Sequence, residues 1–182
     1  INPVSSEKTI SQIEDVLMII GKLSSADKIR SIIREGETKT IEFKQTFTYD
    51  IATRQREKRL ALSCMKTIAA FLNSRGGNLL IGVSDDGEIT GLDEEIIKLH
   101  KSKDKFNRNF KDVLKSKIGE HCYPLVEHEL VEIENKLVMN ISCKESDKEI
   151  FIDSKDFYVR TNPATDKLEG EKLIQYIKNR FN

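Results

Sequence analysis

Residues 78–84 read NLLIGVS, an almost wholly apolar run of strand length, and they follow a helical pattern that stops at Gly76-Gly77. Such a run suits a strand covered on both faces, so the fold around it must supply neighbouring strands and helices. Upstream, in residues 40–47, Ile41 and Phe43 alternate with Glu42 and Lys44, as the two faces of a strand require. Between these runs, residues 54–73 carry Leu60, Cys64, Ile68, Phe71 and Leu72 along one helical stripe. Strand, helix and strand in that order form a crossover unit whose two strands are expected to be parallel neighbours.

The remaining periodicities extend this frame. Asp86-Gly87 is a two-residue turn signal. Residues 94–101 and 105–118 read as helices, the second with Phe106, Phe110, Leu114 and Ile118 at i, i+4 spacing. Residues 125–133 and 136–143 read as a pair of strands around Glu134-Asn135, residues 149–152 and 157–160 as two shorter strands, and residues 169–180 as a terminal helix. Near the start, residues 6–20 have apolar positions 10, 13, 17 and 20, Gly21 ends that pattern, and residues 26–34 form a second short helix. The expected fold is α+β (mixed α/β): a mixed sheet with a βαβ unit and C-terminal antiparallel strands, helices packed on it. Residues 35–182 form that domain. Residues 1–34 read as a helical segment or linker from a longer protein, since the chain begins at Ile1 rather than Met.

Charge sets where a polyanion can bind. Thirty Lys and Arg balance thirty Asp and Glu, so the molecule has no net pull on nucleic acid and any such surface must be local. One region qualifies: residues 98–117 hold eight Lys and Arg against Asp104 and Asp112, a balance of +6. With the phenylalanines turned inward, Lys101, Lys103, Lys105, Arg108 and Lys111 are expected to face a phosphate backbone, and Arg160, at the end of a strand, to reach one as well. The smaller cluster Arg54, Arg56, Lys58 and Arg59 has the same two readings, a phosphate contact or solvated surface, and the second is preferred. Cys64, Cys122 and Cys143 are odd in number with no paired spacing, which fits a reducing compartment and a cytoplasmic location. No apolar run approaches the roughly 20 residues of a membrane span. His100, His121, His128 and Cys122 lack zinc spacing. Gly76-Gly77 lies in neither phosphate-loop pattern and reads as a helix stop.

The chemistry concentrates at GETKTIEFK, residues 36–44. Glu42 and Lys44 share a strand face, and Glu37 joins them only if it lies in the turn entering the strand, which Gly36 permits. If the crossover forms, Asp85 or Asp86 leaves the neighbouring strand nearby, and Gly82 leaves room on the sheet face beside Glu42. Acids gathered at this range repel. They persist because a hard cation, Mg²⁺ or Mn²⁺, neutralises them, or because basic side chains do. The first alternative brings a clamp on phosphate oxygens, with Lys44 stabilising developing charge. In the second, the acids make ion pairs on a strand face.

These blocks resemble the Alba-like domain of the Schlafen family: Glu37 and Glu42-Phe43-Lys44, then Ala70-Phe71-Leu72-Asn73, Gly76-Gly77, Ile81-Gly82-Val83, Asp85-Asp86 and Gly91, with FYVRT at 157–161. The resemblance runs over roughly residues 33–181. It implies a nucleic-acid-binding domain and, by similarity to animal members, a divalent-metal-dependent endoribonuclease acting on structured RNA. Glu37, Glu42 and Asp85 would hold the metal with Lys44 beside them, and RNA is expected ahead of DNA. It implies equally a non-catalytic nucleotide-, ATP- or DNA-binding sensory module of a transcriptional regulator. Because animal members join two lobes into a groove, a homodimer is expected here, together with a partner domain N-terminal to this piece.

Overall fold

A computed structural model describes residues 13, 16–18, 20, 25–161 and 163–181. The expected helix over residues 6–20 falls largely outside these, although residues 13, 16–18 and 20 are helical; Asn162 also lies outside them. Among the described residues, no helix is long and apolar enough to cross a membrane.

The crossover forms as its periodicity requires. Strand β1 (Ile41–Lys44) lies parallel to β4 (Gly77–Ile81), with Glu42 opposite Leu79 and Lys44 opposite Ile81. Helix α2 (Lys58–Asn73) joins them. Strands β5 (Val126–Ile133) and β6 (Lys136–Cys143) complete a four-stranded sheet in the order β1-β4-β6-β5, with β6 antiparallel to both neighbours. The turn between β5 and β6 uses Glu134 and Asn135, both at positive φ (54° and 61°), the geometry that lets a two-residue hairpin follow the twist of its strands.

Both faces of this sheet are covered. On one, α2 buries Cys64, Ile68, Phe71 and Leu72 against Leu79, Ile81, Met139 and Ile141. Helix α4 (Lys103–Lys117) inserts Phe106, Phe110 and Leu114 into the same core, and Ile118 follows them. On the other face, helix α1 (residues 25–35) brings Ala26 and Ile29 onto Ile41, Phe43, Leu80 and Val138. The near-continuous apolarity of residues 79–83 follows from this double burial.

Helix α2 starts at Lys58, four residues later than the expected start at residue 54. Arg54 takes a left-handed conformation (φ 56°), and β2 (Tyr49–Asp50) pairs with β3 (Gln55–Arg56) to make a small hairpin. Glu57 then caps the helix by accepting from the Arg59 amide at 3.0 Å. A short turn α3 (Asp93–Glu95) and a π-helical turn (Ile96–His100) lead into α4, which Ser102 caps. A second sheet, β7 (Phe151–Ile152), β8 (Asp156–Arg160) and β9 (Thr165–Leu168), packs on α2, and α5 (Gly170–Phe181) ends the chain. The sequence carries no signal for β9, because TDKL has no apolar alternation.

Asn73 explains how the two sheets are joined. It is fully buried at the end of α2, donates to the carbonyls of Ile150 (2.8 Å) and Tyr158 (2.9 Å), and accepts from the Ile150 amide (2.8 Å).

Candidate functional site

Glu42 and Lys44 lie on the outer strand of the main sheet and project toward the α2 face, beside Leu79 and Ile81. Their charge is therefore half sheltered, and Glu42 is only 14% exposed. Each oxygen of its carboxylate meets a cation: Oε1 lies 2.5 Å from Lys44 Nζ, and Oε2 lies 2.8 Å from Arg160 Nη1. Lys44 Nζ also donates to the Phe43 carbonyl at 2.8 Å.

Arg160 comes from β8, and its side chain is 1% exposed. Its guanidinium has five N–H groups, and all find acceptors. Nη1 serves Glu42 and Thr165 Oγ1 (2.9 Å), Nη2 serves the carbonyls of Thr38 (2.8 Å) and Ile41 (3.4 Å), and Nε serves the Lys39 carbonyl (3.4 Å). Its plane also lies over the Phe71 ring at 5.0 Å. The arginine expected to reach phosphate is thus a buried tie between β8 and the edge of β1.

Glu37 does lie in the turn entering β1, and its Oε1 accepts from the Phe43 amide at 2.9 Å. An edge strand presents unpaired backbone groups. Here Glu37 takes an outward amide, while Arg160 takes the Ile41 carbonyl.

The two aspartates after β4 part company. Asp86 is bonded by the Ser84 hydroxyl, which holds its carboxyl below the usual range. Asp85 is exposed and lines a cleft of about 510 Å³ together with Lys44, Thr46, Tyr49 and Ser63. The space beside Gly82 does not open toward Glu42. A Cβ there would meet the Leu137 carbonyl at 3.0 Å and Leu92 Cγ at 3.3 Å, so the apolar core has filled it.

Among the described residues, no group of three or more His, Cys, Asp or Glu side chains is placed to hold a metal ion. Glu37, Glu42 and Asp85 are not brought together as such a group. A hard divalent cation needs carboxylate oxygens free to coordinate it, whereas both oxygens of Glu42 hold cationic side chains and one of Glu37 holds an amide. In this arrangement the set does not fit Mg²⁺ or Mn²⁺; at Glu42, Lys44 and Arg160 supply the neutralisation.

The lysine-rich helix is presented as its spacing requires. With Phe106, Phe110 and Leu114 buried, Lys103, Lys105, Arg108 and Lys111 are exposed, as is Lys101 just before the helix. Among the described residues, none of these five has a carboxylate within 4.0 Å. Their neighbours differ: Lys98 pairs with Glu94 (2.5 Å), Lys115 with Glu120 (2.5 Å) and Lys117 with Asp153 (2.9 Å). Lys105 and Arg108 line a groove of about 570 Å³ with His100, Asn109 and Asp112.

One buried polar cluster has no signature in the sequence. Glu95, 1% exposed, accepts from the amides of Phe47 (2.9 Å) and Thr48 (2.6 Å) and from the Thr48 hydroxyl (2.6 Å), while His100 Nε2 stands 3.8 Å away. It fixes the turn that follows β1 and so shapes the Lys44 cleft. Nothing in the run Asp93-Glu94-Glu95 marks the third acid as the buried one.

The model of the family described as Schlafen, AlbA_2 matches residues 37–169. The chain belongs to the Schlafen AlbA_2 family. That match spans β1 through β9 and includes Glu37, Glu42, Lys44, Asp85, α4 and Arg160. No curated protein sequence matches the chain. Among solved structures, the chain is similar to the crystal structure of the DIP2311 protein from Corynebacterium diphtheriae, with a TM-score of 0.58 and 15% identity over 89% of this chain. The likeness covers 33% of that chain, and at this identity it speaks for the fold alone.

Proposed function

We propose that this Schlafen AlbA_2 domain binds nucleic acid through the phosphate backbone and does so without cutting it. The observation that carries the reading is the outer face of α4 with its approach: five basic side chains free of acidic partners among the described residues, on a molecule whose total charge is zero. Unpaired cations on a rigid helix hold phosphates and carry no base information, so the binding is sequence-independent and weakens with salt. RNA and DNA both offer this chemistry. Cleavage has the support of Lys44 and Asp85 in one cleft, but Glu42 is held by two cations, which favours binding without turnover.

Fluorescence anisotropy with labelled RNA and DNA tests this. The Lys105→Gln/Arg108→Gln variant is expected to weaken both ligands alike and to lower the slope of log affinity against log salt by about 2. Chelator is expected to change nothing. Incubated with tRNA and Mn²⁺, the native chain and Glu42→Ala are expected to leave the RNA equally intact; cleavage by the native chain alone would establish the nuclease reading instead.

A further inference from the structure

The hairpin of β2 and β3 touches both the Lys44 cleft and the groove along α4. On one side it walls the Lys44 cleft with Tyr49, Asp50, Ile51 and Ala52. On the other, Arg56 Nη1 donates to Asn109 Oδ1 at 3.2 Å, and Asn109 belongs to the groove along α4. The hairpin is held in place. Asp50 Oδ1 accepts from the amides of Ala52 and Thr53, both at 2.9 Å, and the Glu57 amide donates to the Thr48 carbonyl at 2.7 Å. Tyr49 Oη donates to Glu94 at 2.9 Å. Residues 51–56 are all exposed, with Arg54 at the left-handed corner. Among the described residues, neither Arg54 nor Arg56 has a carboxylate within 4.0 Å, whereas Arg59 pairs with Glu57.

We infer that this hairpin is a second backbone-gripping arm, and that Arg54, Arg56 and the α4 cations hold one extended, base-paired nucleic acid as a single footprint. The inference rests on the binding reading above and adds the hairpin, which that reading does not need. Two depressions joined across one basic ridge fit a polymer that spans both rather than a mononucleotide that fills one. The rings that line them, Tyr49 and His100, are 1% and 5% exposed. Unpaired bases are gripped by stacking on exposed rings, so this surface suits paired bases with their phosphates outward.

The test is a salt titration of affinity for a 20-base-pair DNA duplex, the equivalent RNA duplex and a four-nucleotide single strand. The native chain is compared with Arg54→Gln, with Arg54→Gln/Arg56→Gln and with Lys105→Gln/Arg108→Gln. The expected slopes on the duplexes fall by about 1 for the single hairpin variant and about 2 for each double variant, and the short strand does not distinguish the hairpin variants from the native chain. Arg54 makes no hydrogen bond to α4 among the described residues, so the single variant keeps its melting temperature and carries the test if the double variant unfolds. Hairpin variants that bind the duplex like the native chain, while the α4 variant weakens, overturn the arm and leave the binding reading standing. Tighter binding to the single strand than to the duplexes overturns the base-paired ligand. If the native chain binds none of the three, both readings fall together.

Discussion

Arg160 shows why a buried cation beside a carboxylate is so costly to remove. Its five donors serve Glu42, Thr165 and three backbone carbonyls of the entry to β1, and it is shielded from water. Deleting it leaves Glu42 with Lys44 as its one cation and takes a donor from the Thr38 and Lys39 carbonyls, and breaking a buried charged network of this kind costs about 3 to 5 kcal/mol. Arg160→Ala is therefore expected to lower the melting temperature by about 10 °C. Arg160→Lys is expected to recover only part of this, because an ammonium keeps the charge and loses the planar five-donor fork. An unchanged melting temperature for Arg160→Ala would show that the tie contributes nothing. Gly76 is a second position where one atom decides. At φ 72° a side chain is strained, and a Cβ would run into the Cys143 carbonyl oxygen. Gly76→Ala is expected to cost about 2 to 4 kcal/mol, read as a lower urea midpoint, although alanine would stabilise an ordinary turn.

At the scale of elements, α4 separates two jobs by helical geometry. One stripe, Phe106, Phe110 and Leu114, is sealed in the core, and the cations between these positions have nowhere to point but outward. Charge removal on the outer face is accordingly expected to change affinity while leaving the melting curve in place, whereas Phe110→Ala is expected to cost about 3 to 5 kcal/mol through the cavity it opens. Thermal melts of Lys105→Gln/Arg108→Gln and Phe110→Ala, run side by side, check the separation. Strand β1 divides its faces the same way: Ile41 and Phe43 meet α1, while Glu42 and Lys44 turn to the α2 side.

For the whole molecule, the three thiols make folding sensitive to alkali. All are buried, and burial pushes Cys64 up to about 12, Cys122 up to about 11 and Cys143 higher than its ordinary value. The unfolded chain gives up its thiol protons near pH 9 while the native state keeps them, so the native state holds more protons above that pH. Stability is complete below about pH 9 and falls as pH rises through and beyond it. Urea midpoints at pH 7, 9 and 10.5 are expected to decline in that order, and Cys64→Ala should reduce the decline. An undiminished midpoint at pH 10.5 would contradict the burial of these thiols.

Local periodicity carried much of this. The βαβ unit, the buried stripe of α4, the β5–β6 pair and the outward lysines all follow from spacing, because a strand's alternation and a helix's repeat are written in neighbouring residues. Spacing also placed Glu42 and Lys44 on one face and Glu37 in the turn before them. It left open what neutralises Glu42, and the answer, Arg160, is separated from it by 118 positions. It also could not tell Asp85 from Asp86, single out Glu95 within an acidic run, or place the hairpin against α4. A repeat tells a side chain which way to face. Which partner waits there depends on distances between elements, and those exist only once the chain has packed.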